Sequence, residues 1–112
     1  MAEYILLVHT DESEMPSGVG DDVSSPFAEF MQRNADRLLS GAGLTGRDTA
    51  TSVRRDASGA VTVTDGVFVE SKEVLGGYWI VDVADLDEAI ALAKEVPVVN
   101  GGVEVRPVAM RS

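Results

Sequence analysis

The only histidine of the chain, His9, lies two residues before Asp11, at the end of an apolar run that predicts a strand. Residues two positions apart in an extended strand point to the same face. A carboxylate beside an imidazole favours the protonated ring and orients it for proton transfer. His9 and Asp11 are therefore a candidate catalytic acid–base pair. The alternative is a polar strand end without chemistry.

Three arginines are candidates to hold an anionic group. Arg54 and Arg55 lie in a short β-prone run, and Arg106 alternates with Val105 in the last such run. A guanidinium binds a carboxylate through two parallel hydrogen bonds, so Arg54 and Arg106 are candidate ligand-binding residues. Ion pairs between neighbouring strands are the alternative.

Asp65, Glu70 and Glu73 surround a predicted turn, and Tyr78 precedes the single tryptophan, Trp79. The acids could bind a cation through oxygen ligands, or Asp65 could bond its own turn while the others face solvent. Tyr78 and Trp79 must point to opposite faces of a strand, which places one in the core and the other at a cleft or an interface. No spaced histidines or Asp-rich loop are present, so the sequence predicts neither a metal site nor a cofactor.

Composition bounds the remaining possibilities. The chain has 112 residues and no cysteine, which excludes disulfides, zinc–thiolate sites and a cysteine nucleophile. Nineteen acidic residues face nine basic ones, so no clustered positive field exists for direct binding of nucleic acid. No run approaches the roughly 20 apolar residues of a membrane span. We expect one domain over residues 1–112, and the absence of a signal-peptide pattern favours the cytoplasm.

The first half of the chain predicts a strand, a loop and a helix. The apolar run 4–9 is typical of a central strand, and the polar stretch 10–24 predicts a long loop. Ser25 and the proline after it form a helix start. An apolar face at three- and four-residue steps predicts a helix over residues 25–40, with Gly41 as its left-handed cap.

The second half predicts a hairpin, a strand, a helix and a strand. Two β-prone runs within residues 51–64 flank a short connector that ends in glycine. A strand at 78–83 is followed by a helix that begins after Asp85, with Glu88 completing a capping box. Residues 103–108 alternate apolar and charged side chains, which predicts the last strand.

This order predicts an α+β fold, namely a ferredoxin-like split β-α-β unit with an inserted hairpin and both helices on one face of the sheet. A domain of this size leaves much apolar surface exposed, so a partner that covers a face of the sheet would help it.

The second half resembles the YCII-related family, specifically its DGPF-domain branch. The resemblance extends to the opening run 4–8 with its following acids, and so to nearly the whole chain. Val67 stands where the branch has the proline of its name. The segments that carry the resemblance are Asp65-Gly66-Val67-Phe68-Val69-Glu70-Ser71-Lys72-Glu73-Val74-Leu75-Gly76-Gly77-Tyr78, Leu86-Asp87-Glu88-Ala89-Ile90 and Val103-Glu104-Val105-Arg106-Pro107-Val108.

The resemblance implies a dimeric α/β barrel, in which two ferredoxin-like sheets pack face to face. For the YciI-like branch of this family a His–Asp pair has been proposed, and Asp11 matches its aspartate. The matching histidine belongs near the start of the first helix, but residues 24–31 contain none. Some DGPF members are encoded beside, or fused to, extracytoplasmic-function sigma factors.

These observations leave three functions open. The first is a binder or enzyme for a small molecule, with a pocket between sheet and helices where His9 and Asp11 act and an arginine holds an anion. The second is a regulatory module that binds a sigma factor, which the acidic surface would favour for a basic partner. The third is a cofactor-free oxygenase, which rests on fold analogy alone.

Overall fold

The computed structural model describes residues 2–11, 25–68 and 73–111. Residues 10 and 11 of the predicted loop belong to the first strand, and the rest of that loop lies outside the described ranges. In chain order the elements are β1 (Ala2–Asp11), α1 (Pro26–Arg33), β2 (Leu38–Gly43), a 3-10 turn (Arg47–Thr49), β3 (Thr51–Arg55), β4 (Val61–Asp65), β5 (Glu73–Val83), α2 (Leu86–Lys94) and β6 (Gly101–Pro107).

Four strands form one antiparallel sheet in the order β2-β5-β1-β6, and β3 and β4 form a separate two-stranded sheet. Without that hairpin the element order is β-α-β-β-α-β, so the predicted α+β class and the inserted hairpin are confirmed. Within this single chain the described strands do not close into a barrel.

The core lies between one face of the sheet and the two helices. Phe30 of α1 and Leu92 of α2 are fully buried together with Leu6 of β1 and Val81 of β5. Trp79 closes this core, with its ring centroid 5.0 Å from that of Phe30. Both helices therefore cover the same face of the sheet, as the sequence predicts.

The other face of the sheet carries no helix, and we call it the open face. Strand alternation and the pairing register place side chains of β1, β5 and β6 on it, and most of those on the central strands β1 and β5 are only partly buried. The open face includes Glu3, Ile5, Leu7, His9, Asp11, Leu75, Tyr78, Ile80, Asp82, Glu104 and Arg106.

Both predicted helix starts are confirmed. The Ser25 hydroxyl accepts a hydrogen bond from the backbone N–H of Ala28 at 3.1 Å, and the carboxylate of Asp85 accepts one from Glu88 N–H at 3.0 Å. The Glu88 carboxylate in turn accepts a hydrogen bond at 3.4 Å from the backbone N–H of Ala84, the residue before the N-cap. This completes a capping box in which the N–H donor is shifted by one residue. Short-range hydrogen bonds thus fix where each helix begins.

The predicted end of the first helix is wrong. The helix stops at Arg33 because Asn34 caps it, donating from both its backbone N–H and its side chain to the Phe30 carbonyl. Residues 38–40, which were expected to be helical, instead begin the edge strand β2 along β5. Gly41 is therefore not a left-handed cap but a strand residue packed against Trp79, where a Cβ would lie 2.5 Å from the indole Cδ1.

We call the β3–β4 hairpin, residues 51–65, the arm. Its strands pair only with each other, and every arm residue except Ser52 is exposed. Asp56 organises its turn by accepting hydrogen bonds from the backbone N–H groups of Ser58 and Ala60. Gly59 takes a φ of 90°, and Gly66 after the arm takes a φ of 109°, which glycine alone adopts without strain.

Candidate functional site

His9 lies on the open face, not between the sheet and the helices. Leu6 and Val8 of β1 point into the core, and alternation turns His9 the other way. The expected pocket between sheet and helices is therefore wrong as a location for His9. Any site built on this imidazole must lie on the face that the helices leave uncovered.

A line of three ionisable side chains crosses the open face from β1 to β6. The Nε2 atom of His9 lies 3.6 Å from Oε1 of Glu104, and Oε2 of Glu104 lies 4.0 Å from Nε of Arg106. Both distances fit ion pairs but are too long for strong hydrogen bonds. We call these three residues the His9 corner.

The His9 imidazole has open space on one side, and an apolar side chain lies on its other side. Gly102 faces His9 across the β1–β6 pairing, and a Cβ at this glycine would meet no atom within 4 Å. On the β5 side the register shifts after Val8, so Leu75 becomes the neighbour of His9. The ring thus has one accessible flank and one apolar flank.

Asp11, the other half of the predicted pair, lies on the same face of β1 as His9. It is opposite Glu73 in the pairing with β5, at the end of both strands. The carboxylate that the structure places 3.6 Å from the His9 ring is that of Glu104. The pairing of His9 with Asp11 stays a prediction from their shared face.

The aromatic neighbours Tyr78 and Trp79 separate as predicted. Trp79 packs on Phe27 and Phe30 in the core, whereas Tyr78 lies partly buried on the open face opposite Leu7. Tyr78 is therefore placed to line a ligand cleft or an interface, and Trp79 is not.

The remaining candidate residues belong to the arm. Arg54 lies on β3 with its guanidinium carbon 4.5 Å from the ring centroid of Phe68, a cation–π contact. Asp65 ends β4 opposite Thr51. Within one chain these two residues belong to a different sheet from Tyr78 and Arg106, so the four do not form a single site. Glu70 lies outside the described residues.

Two open depressions of about 480 Å³ each mark the surface. The first lies on the open face between Ile5, Ile80 and Arg111, and the second lies between α2 and β6. His9 lines neither of them. Neither of these two depressions supplies walls for a cleft at the His9 corner.

Glu104 is the residue of the corner that sequence reasoning did not select. The alternation of residues 103–106 placed it on the same side as Arg106, which was the available signal. Its contact with His9 depends on β6 lying beside β1, where Glu104 pairs with Leu7 and is diagonal to His9. That pairing joins the two ends of the chain and cannot be read from local sequence.

The corner offers proton transfer and anion binding side by side. An imidazole next to a carboxylate can accept or donate a proton, and a neighbouring guanidinium can hold a carboxylate group. In the described part of the chain, no three His, Asp or Glu side chains are placed to hold a metal ion. None of the helices described here is long and apolar enough to cross a membrane.

The fold and the corner thus define a small α+β protein whose open sheet face carries a histidine, a glutamate and an arginine. The model of the YCII-related domain matches residues 2–110, and the chain belongs to this family. It is also similar to an uncharacterized protein of Rhizobium meliloti (strain 1021). The two are 34% identical over 117 residues, which cover 96% of this chain and 92% of the relative.

Proposed function

We propose that this YCII-related protein is a homodimer that binds a small carboxylate at the His9 corner. In this proposal two open faces oppose each other as in a dimeric α/β barrel, and the corner lies at the rim of the interface. The observation that carries it is the His9–Glu104–Arg106 line on the sheet face without helices. The Asp65-Gly66 turn supports placing the chain in the DGPF branch.

The centre of the open face supports the dimer. Ile5, Leu7, Tyr78 and Ile80 are neighbours across β1 and β5, and all four are only partly buried. An antiparallel sheet that faces water normally turns polar side chains outward. A contiguous apolar patch between charged residues is instead typical of an interaction surface.

The geometry of Arg106 supports carboxylate binding. Its side chain is 68% exposed, and its Nε lies 4.0 Å from Glu104, beyond hydrogen-bond distance. The guanidinium therefore keeps donors available for a bidentate contact. His9 would then exchange a proton with the bound molecule while Glu104 orients the ring.

Nuclear magnetic resonance can test this proposal with a panel of small 2-oxo and 2-hydroxy acids. Titration into ¹⁵N-labelled protein should shift the amide signals of His9, Gly102 and Arg106, with saturation in the millimolar range or below. Arg106→Gln should abolish the response. Arg33→Gln, which removes an arginine from the helix side, should leave it intact.

Two results would overturn the proposal. One is that no acid of the panel shifts signals at the corner, and the other is that Arg106→Gln binds as well as the parent. A conversion of the bound acid that His9→Gln abolishes, while binding persists, would extend the proposal from binder to enzyme.

The alternative function is a regulatory module for an extracytoplasmic-function sigma factor. The formal charge of −10 favours a basic protein partner through electrostatic attraction. Recovery of a sigma factor in a pull-down at low salt, and its loss at high salt, would support this alternative. An empty pull-down together with carboxylate binding at the corner would exclude it.

A further inference from the structure

We infer that the arm is an inter-subunit element that closes over the His9 corner of a second copy. This inference rests on the proposed function, because it supplies the missing wall of the proposed cleft. It assigns a role to a hairpin whose strands pair with no strand of the main sheet.

The arm exposes an apolar face that lacks cover. Val53 of β3 pairs with Val63 of β4, and Val61 lies on the same face. Their exposed fractions are 57%, 63% and 48%. A two-stranded hairpin is marginally stable in water unless a third strand or another element packs on it. These three residues, the valine face, therefore indicate a surface that is buried in an assembly.

The arm also carries two arginines that form no ion pair among the residues that the structure describes. Arg54 contacts the ring of Phe68, and Arg55 donates to the Gly59 carbonyl at 3.2 Å. Neither takes part in any ion pair of the described chain. Such arginines favour a partner surface that offers carboxylates.

A second copy of this chain offers the required surface. The two arginines and two aspartates of residues 51–65 cancel, so the whole formal charge of −10 lies on the rest of the chain. The open face combines apolar Leu7 and Tyr78 with acidic Glu3, Asp82 and Glu104, which matches a valine face that also carries Arg55. Two such acidic molecules repel each other, and an arm that brings Arg55 to the acids of its partner offsets that repulsion.

The reach of the arm fits this role. Five-residue strands extend about 17 Å at 3.4 Å per residue. The molecule measures 45 × 32 × 22 Å, and the arm's strands pair with none of the main sheet. An arm that lies with its valine face on a partner would place Arg55 and Asp65, which share that face, beside the partner's corner. This would bring Asp65 together with Tyr78 and Arg106, which one chain does not do.

Intermolecular spin labelling tests the inference directly. The chain has no cysteine, so Thr62→Cys takes a single label on the exposed back of the arm and leaves the valine face intact. The spin-labelled protein, at natural ¹⁴N abundance, is mixed with the cysteine-free ¹⁵N-labelled parent, which carries no spin label. The two are then allowed to exchange subunits. Signals of His9, Gly102 and Glu104 should broaden in the ¹⁵N copy. A label at Gln32→Cys on α1 should leave these signals sharp.

Charge reversal gives a second measurement. Arg55→Glu should raise the dimer dissociation constant about tenfold, as loss of an interface arginine does. Lys94→Glu makes the same change in charge at an exposed position of α2, and should leave the dimer dissociation constant unaltered. Equal effects of the two variants would assign the change to net charge and contradict the inference.

The outcomes separate this inference from the proposed function. A dimer that binds carboxylates at the corner but shows no intermolecular broadening would overturn the arm's role and leave the binding site standing. Broadening confined to helix signals would also overturn it. Broadening at the corner without carboxylate binding would support the arm and contradict the proposed ligand.

Discussion

We call the four-stranded sheet with its two helices the body. The strands of the body and of the arm are both β-prone, yet the two regions are held together in different ways. In the body, side chains such as Leu6, Phe30 and Val81 are completely buried between sheet and helices. In the arm, all five residues of β4 are exposed. The arm is organised by its turn at Asp56 and by the Arg54–Phe68 contact. The body is thus stabilised by packing, and the arm by local polar contacts that leave its valine face uncovered.

The largest expected difference between body and arm concerns side-chain truncation. Phe30→Ala removes a fully buried ring that contacts Trp79, and should lower the free energy of unfolding by about 3–5 kcal/mol. Val63→Ala, at a 63% exposed position of the arm, should change it by no more than about 0.5 kcal/mol within one subunit.

Urea titration at a fixed, low protein concentration measures both values, because association would otherwise add to the apparent stability. A Val63→Ala loss comparable with that of Phe30→Ala would show that the arm packs within its own chain. That result would contradict the contrast drawn between the two regions.

The next effect concerns the edge strand that replaces the predicted helix end. Gly41→Ala would place a Cβ 2.6 Å from the Tyr78 carbonyl oxygen and 2.5 Å from the Trp79 ring, at a cost of about 1–3 kcal/mol. Gly43→Ala, in the same strand, meets no atom within 4 Å and should be tolerated. Thermal unfolding of the pair measures the difference, and equal stability would argue against this packing of β2.

A smaller effect links the two helices of the body. Arg33 donates from Nε to Glu95 at 3.0 Å, and this hydrogen bond is the main reason that the pKa of Glu95 lies below its usual value. A lowered pKa in the folded state means that the interaction stabilises the fold above the unfolded pKa. The stabilisation is lost as pH falls through the folded pKa.

Arg33→Ala should therefore cost about 0.2–1 kcal/mol at neutral pH, the range for exposed ion pairs, and progressively less in acid. Urea unfolding at neutral pH and at pH values below the usual range of glutamate measures this trend. In a Glu95→Gln background the dependence of the loss on pH should vanish. A loss that is independent of pH in the parent would assign Arg33 a packing role only.

The smallest effect is confined to the arm. The side-chain hydrogen bond from Ser58 is the main cause of the lowered pKa of Asp56, and backbone N–H groups of the turn contribute as well. Because this pKa is lowered in the folded state, acid should loosen the turn while the body persists. Amide shifts of Ser58 and Ala60 should move as pH falls through the pKa of Asp56. In the Asp56→Asn variant the amide shifts of Ser58 and Ala60 should not change over this pH range. The same pH-dependent change in that variant as in the parent would contradict this account.

Local features of the fold were predictable, and features that depend on strand pairing were not. The caps at Ser25 and Asp85, the arm, and the opposite faces of Tyr78 and Trp79 follow from neighbouring residues. Strand β2 was missed because Leu38 also fits the helical spacing, and only its pairing with β5 and the Asn34 cap decide the outcome.

The candidate site shows the same limit. Alternation placed His9 and Asp11 on one face, but the side of the sheet that the helices cover is a property of the whole fold. The His9–Glu104 contact joins residues 95 positions apart through the β1–β6 register. A pocket between the sheet and the helices was therefore expected around His9, whereas the structure places His9 on the sheet face that carries no helix.

The mass of the protein in solution tests the central claim, that the open face is covered by a second copy, most directly. Light scattering across a concentration series should give twice the 11.8 kDa of one chain. Leu7→Lys, at the centre of the open face, should give the mass of one chain. Met31→Lys, at a 41% exposed position of α1, should remain dimeric. A parent protein of 11.8 kDa at every concentration, or a Leu7→Lys variant as dimeric as the parent, would contradict the account.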